Sequence, residues 1–163
     1  MADMLNVGII GAGRIGKVHA ETLAYRIPST RCLAIADIDL AAAHQLATQL
    51  QIPSVTDDYR RILENDAIEA VLICSSTHTH ARLTREAAEA GKHIFCEKPI
   101  AHSLAEIDAA LAAVAKAGVK LQVGFNRRFD ANFRRVRCAV ETGEIGQPAL
   151  LHIVSRDPGP PPV

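Results

Sequence analysis

The segment Leu5-Asn6-Val7-Gly8-Ile9-Ile10 runs directly into Gly11-Ala12-Gly13-Arg14-Ile15-Gly16, and that loop opens a helix. This junction restricts the fold more than any other feature of the chain. Gly11 permits a tight strand-to-helix turn, Gly13 lets the backbone approach a phosphate with no Cβ in the way, and Gly16 lets the helix pack closely on the strand. Unpaired N–H groups at the helix start then face an anion. The junction reads as a cradle for a dinucleotide pyrophosphate.

Glycines also punctuate ordinary turns, so the cradle needs an acid at the end of the second strand. Asp37 supplies it. It closes the apolar run Cys32-Leu33-Ala34-Ile35-Ala36 and stands twenty-one residues after Gly16, near the ~20-residue spacing expected of a carboxylate that accepts from a ribose 2′-OH. The same carboxylate repels a 2′-phosphate, and Ile38 and Asp39 offer no cation to hold one. The expected cofactor is NAD rather than NADP.

Strand and helix signals alternate along the chain, and the strands lack polar alternation, as expected when helices cover both faces of a sheet. The pattern predicts an α/β fold with a doubly wound parallel sheet. Strands are expected at residues 5–10, 31–37, 68–74, 93–96 and 120–124, with a short one at 54–56. Buried stripes are predicted along Leu40, Ala43, Ala47 and Leu50, and along Leu104, Ile107, Leu111 and Val114. Ser103 and Glu106 have the spacing of a capping box, and Gly91 and Gly118 stand where helices should stop. Past Phe125 the pattern changes: a helix with Phe129, Phe133, Val136 and Val140 on one side leads to an expected strand, Ala149 to Ser155, and a proline-rich end. The expected division is a cofactor domain over residues 1–125, then residues 126–163 as a connecting helix and the first strand of a second, truncated domain. That strand has nothing after it to cover it, which predicts self-association through its edge.

With 163 residues, one ordinary domain is the prior, and 48% apolar content is enough for a core. Eighteen basic and eighteen acidic residues cancel, so no global field recruits nucleic acid or a membrane. The scattered Cys32, Cys74, Cys96 and Cys138 read as reduced thiols rather than a disulfide or metal framework. Met1-Ala2-Asp3 has no signal-peptide character, and the apolar runs are strand-sized, so a cytoplasmic protein is expected.

Ligands of open α/β sheets lie beyond the carboxyl ends of the strands. There the chain carries two further polar segments. Ser75-Ser76-Thr77-His78-Thr79-His80 places small hydroxyls where a nicotinamide ribose would lie, although a helix cap uses the same residue types. No Cys, Asp or Glu nearby completes a tetrahedral metal set with His78 and His80. In Phe95-Cys96-Glu97-Lys98-Pro99 the proline disfavours helical backbone at Lys98, which is held extended at the strand's carboxyl edge. An ammonium there can hold a substrate hydroxyl, stabilise a forming alkoxide and join a proton relay.

GAGRIGKVHA, ADID, SSTHTHA, AGKHIFCEKPI, QVGFNRRFD and GEIGQPALLHIVSRDP together resemble the amino-terminal part of the glucose-fructose oxidoreductase and inositol dehydrogenase family, and most of all its inositol 2-dehydrogenases. The resemblance covers essentially the whole chain. It implies a Rossmann domain in which Ala12, Arg14, Ile15, Asp37, Ser75, Thr77, His80, Glu97 and Lys98 line the NAD site, Lys98 also facing the reacting carbinol. Arg127 and Asp157 would be substrate contacts, the substrate being a cyclitol or sugar. The resemblance also implies an aspartate and a catalytic histidine in a carboxyl-terminal α/β domain, beyond Val163, whose open sheet builds an oligomer interface; without them this chain is expected to bind better than it catalyses.

Other readings fit less well. Arg127, Arg128, Arg134 and Arg135 fall away from the aromatic stripe, as on any solvated amphipathic helix, which argues against nucleic acid. A short-chain dehydrogenase needs Tyr-x-x-x-Lys, whereas Tyr25 is followed by Ser29 and Tyr59 by Leu63 at that spacing. A dinucleotide-binding sensor or interaction module without catalysis remains the alternative from another class.

Overall fold

The structure, a computed structural model, describes residues 4–156. Six strands and five α-helices alternate in the first unit: β1 (Leu5–Ile10), α1 (Arg14–Arg26), β2 (Thr30–Ala36), α2 (Leu40–Leu50), β3 (Ser54–Thr56), α3 (Arg60–Leu63), β4 (Ala70–Ile73), α4 (Thr77–Glu89), β5 (His93–Cys96), α5 (Leu104–Ala117) and β6 (Leu121–Val123). The strands form one sheet in the order β3-β2-β1-β4-β5-β6, with every ladder parallel. Strand order reverses at β1, which lies between β2 and β4. The crevice beyond the carboxyl ends of these central strands is therefore where a ligand is expected.

Two apolar clusters explain why the strands carry no polar alternation. Val7, Ile9, Ile35 and Leu72 pack with Ala20, Leu23, Ala43 and Leu46 of α1 and α2. Ile10, Val71, Ile73 and Ile94 pack with Ile62, Leu83, Ala87 and Val114 of α3, α4 and α5. Both faces are covered, so a polar residue at either phase of the strand would be buried without a partner. Cys32 and Cys74 lie within this packing, and burial pushes their thiols up to about 12; Cys96 is pushed up to about 11 in the same way.

A second compact unit, Phe125–Val163, holds a 3-10 turn (Asn126–Phe129) and α6 (Ala131–Glu141). Asp130 caps α6 by accepting from the N–H groups of Asn132 and Phe133. Two arginines of this helix are paired, Arg135 with Glu144 and Arg137 with Glu141.

The structure corrects four local expectations. Ala149 to Ser155 forms no strand, and Leu150, Leu151, Ile153 and Val154 are 65–88% exposed; an apolar run becomes a strand only against a neighbour that pairs its backbone, and none is present among the described residues. In α2 the buried residues are Ala43, Leu46 and Ala47, with Leu40 exposed. In α5, Ala110 and Val114 turn inward while Leu104 and Leu111 stay exposed. Both helices are rich in alanine, so close packing selects the small face instead of the stripe with the largest side chains. Ser103 does occupy the N-cap of α5, but its side chain makes no capping bond, so the capping box is not formed.

Candidate functional site

Backbone geometry accounts for two of the three loop glycines within the protein itself. Gly11 has φ +110°, and a Cβ there would come 2.6 Å from the Cys74 carbonyl carbon and oxygen. A Cβ at Gly16 would overlap the Gly11 carbonyl oxygen. Gly13, the N-cap of α1, differs: nothing lies within 4 Å of a Cβ built on it. Its bareness serves the space outside the loop. That space is a cleft of about 600 Å³ lined by Gly11, Gly13, Arg14, Ile15, Asp37 and Ser75 among others. No side chain caps α1 and its first turn holds no acid, so its amides stay open to an anion, with Arg14 exposed beside them.

Asp37 follows β2 and is half-buried at the edge of this cleft. Its Oδ2 accepts from the Ala12 N–H at 2.5 Å and its Oδ1 from the Asp39 N–H at 2.8 Å. One carboxylate thus ties the glycine loop to the start of α2. A carboxylate oxygen has more than one lone pair, so both oxygens still accept from ribose hydroxyls. An open cradle at Gly13, free amides, a cation and an acid after the next strand, all lining one cleft, fit a dinucleotide.

Opposite Asp37 the cleft wall contains residues that the sequence did not single out. Tyr59 and Arg82 both line it. Tyr59 Oη donates to Glu86 Oε2 at 2.7 Å, Arg82 donates to the Tyr59 oxygen at 2.5 Å and to Glu86 at 3.1 Å, and the Arg60 and Arg82 guanidinium groups lie 4.9 and 5.3 Å from the Tyr59 ring centre. Burial works against the Glu86 carboxylate, yet donation by Tyr59 and Arg82 holds its pKa below the usual range. Burial and then the bond to Glu86 push the Tyr59 phenol up. Hydrogen bonds thus link Tyr59, Arg82 and Glu86 in this wall, which carries an aromatic ring.

Past β4, Ser75 Oγ lies 2.6 Å from Thr79 Oγ1, and Ser76 is the N-cap of α4 without a side-chain capping bond. Thr77 begins α4 and is half-buried, and His78 lines the cleft. His80, expected at the cofactor, is instead only 2% exposed, with Nδ1 2.8 Å from the Pro99 carbonyl oxygen and Nε2 3.0 Å from that of Ser75.

Past β5, Glu97 is also engaged by the protein. Its Oε1 lies 2.8 Å from His19 Nε2, and its Oε2 accepts from the Lys98 N–H at 3.1 Å. His19, on α1, stands edge-on to the Phe95 ring at 4.9 Å between centres. Gly124 leaves room for this carboxylate, since a Cβ there would come 3.1 Å from Glu97 Oε1. The pairing joins the helix of the phosphate cradle to the segment bearing the lysine. His19 sits in GKVHA, three residues past Gly16, and only its partner 78 residues away gives it a role. Lys98 is exposed, its peptide bond to Pro99 is cis, and its ammonium has no hydrogen-bond partner among the described residues. Arg127, in the second unit, lies 5.0 Å from the Phe133 ring centre, and Asp157 lies outside the described residues.

An open parallel sheet with a glycine-rich loop after its first strand and an acid after its second is the pattern of a dinucleotide-binding domain. The chain belongs to the oxidoreductase family with an NAD-binding Rossmann fold, whose pattern it matches over residues 5–125. It is 53% identical over 161 residues to the uncharacterized oxidoreductase YrbE of Bacillus subtilis, covering 99% of this chain and 47% of that protein. With the myo-inositol 2-dehydrogenase of Thermotoga maritima the identity is 43% over 159 residues, 98% of this chain and 47% of that one. The solved scyllo-inositol dehydrogenase of Lactobacillus casei with NAD(H) and scyllo-inositol superposes with a TM-score of 0.85 at 32% identity, covering 88% of this chain and 43% of that one. The chain spans about half the length of the curated relatives it matches.

Proposed function

We propose that this chain is the cofactor-holding part of an NAD-dependent dehydrogenase that oxidises a ring hydroxyl of a cyclitol or sugar to a ketone, in the manner of inositol 2-dehydrogenases. The observation that carries this reading is Lys98, an exposed lysine with no partner for its ammonium among the described residues, two residues past β5 at the same sheet edge as the phosphate cradle. Asp37 accepts from the adenine ribose, Arg14 and the first-turn amides of α1 hold the pyrophosphate, and Ser75 and Thr77 border the second ribose. Nicotinamide, when bound, supplies the hydride acceptor. Lys98 holds the carbinol oxygen, stabilises the negative charge that develops on it and takes part in moving its proton. Arg127 and Asp157 contact the substrate. His80 acts behind this surface, since the protein already occupies both its ring nitrogens, and His19 gives its Nε2 to Glu97.

Cofactor choice and turnover test the reading. Calorimetry is expected to show NAD binding clearly more tightly than NADP, and Asp37→Ala to narrow the gap by weakening NAD by about 1.5 to 3 kcal/mol. Equal affinities for the two cofactors in the wild-type protein would overturn the role of Asp37. In a protein that joins this chain to the family's carboxyl-terminal domain, NADH absorbance with a panel of cyclitols distinguishes a dehydrogenase from a domain that only binds.

We also propose that copies of the chain self-associate through Leu150, Leu151, Ile153 and Val154, whose apolar surface is exposed. Light scattering checks this, and a concentration-independent monomer would contradict it. Free thiols at all four cysteines suit a reducing compartment, and we place the protein in the cytoplasm.

A further inference from the structure

We propose that His80, a buried histidine whose Nδ1 faces the Pro99 carbonyl, is a positioning residue that fixes the backbone on which Lys98 stands. This rests on the reading of Lys98 as the group that meets the substrate oxygen.

A lysine side chain has four rotatable bonds, so the place of its ammonium is first decided by where its backbone is held. Before Lys98, the β5 side is fixed: the Glu97 N–H donates to the Ile73 carbonyl at 3.0 Å, and the Lys98 N–H donates to Glu97 Oε2 at 3.1 Å. After Lys98 the sheet offers nothing, because Pro99 has no N–H to place in a ladder. The anchor there comes from α4. His80 Nδ1 lies 2.8 Å from the Pro99 oxygen, the shorter of the ring's two polar contacts. The ring is 2% exposed, so water does not substitute for this bond. Its other nitrogen faces Ser75 O at 3.0 Å, which seats the ring between the two loops that follow β4 and β5. Both ring nitrogens face carbonyl oxygens, which only accept, so the anchor on Pro99 requires a proton on Nδ1.

Two substitutions separate positioning from mere filling of the core. The amide of asparagine places a donor close to the Nδ1 position, whereas glutamine places one close to Nε2. In His80→Gln, the Lys98 and Ile100 amides are expected to exchange hydrogen about tenfold faster or more, the usual size of one lost bond, and kcat, read in a protein that joins this chain to the family's carboxyl-terminal domain, to fall about tenfold or more through misplacement of the lysine. NAD affinity stays within about twofold, since one bond outside the cofactor cleft is lost. His80→Asn is expected to keep exchange and kcat within about threefold of wild type. Indistinguishable behaviour of the two variants in exchange and in kcat would overturn the proposal. Ring nitrogen-15 resonances of the wild-type protein decide the matter even if a variant does not fold: a proton on Nδ1 supports the anchor, and a bare Nδ1 refutes it. Lys98→Ala with unchanged turnover would instead overturn the functional reading, while the exchange and ring measurements still report on the anchor itself.

Discussion

In a protein that joins this chain to the family's carboxyl-terminal domain, replacing Lys98 by alanine is expected to lower kcat for oxidation of a cyclitol by about 10² or more while leaving the fold intact. The asymmetry follows from where the side chain stands. Lys98 is exposed and its ammonium donates to no protein acceptor among the described residues, so removing the side chain breaks no side-chain hydrogen bond and no ion pair. The expected loss of stability is within about 0.5 kcal/mol, as for other surface positions. Its backbone, by contrast, is held on both sides, by the Glu97 amide on Ile73 and by the Pro99 carbonyl against His80. Steady-state kinetics and thermal unfolding on the same preparation check both halves. Wild-type turnover in Lys98→Ala would return the residue to an ordinary solvated lysine, and a collapse in melting temperature would mean that the ammonium has a structural partner after all.

The parts of this molecule that depend on neighbours in sequence were legible, and the parts made by distant residues were not. β1, β3 and β5 begin and end where expected, while β2, β4 and β6 differ by one or two residues at each end. At β4 the difference has a cause: Ile68 and Cys74 are buried like the strand between them but lie outside its paired segment, so the apolar run exceeds the ladder. The glycine loop and Asp37 were readable because their chemistry requires a fixed local spacing. The Tyr59 and Arg82 wall was not, since its residues come from separate segments 23 positions apart and neither carries a local signature. Glu97 and His80 were assigned to the cofactor from resemblance, and only the three-dimensional arrangement reveals His19, Pro99 and Ser75 as their partners. The run Ala149 to Ser155 shows the opposite error: a strand pattern that finds no ladder remains without secondary structure.

The glycine loop allows the fold and the cofactor site to be separated by two substitutions of the same kind. Gly16→Ala places a methyl group onto the Gly11 carbonyl oxygen, an atom of the backbone that cannot swing aside, at the seam where α1 meets the loop. Relief requires moving α1 off the sheet, away from the packing of Ala20 and Leu23 in the core. The expected cost is about 2 to 3 kcal/mol, in the range for overpacked sites, and NAD binding falls with it because the first-turn amides move too. Gly13→Ala meets nothing within 4 Å. Its stability is expected to change by no more than about 1 kcal/mol, the scale of an exchange at a helix N-cap. Yet its methyl group enters the cleft where a pyrophosphate must approach the main chain, so NAD affinity should drop about tenfold or more, the weakening expected of about 1 to 3 kcal/mol of steric cost. Thermal unfolding and calorimetry, run on both variants, give the two measurements. Loss of stability in Gly13→Ala with NAD affinity retained would show that the open side of the loop is not the phosphate site, because the glycine would then be serving the fold as Gly16 does.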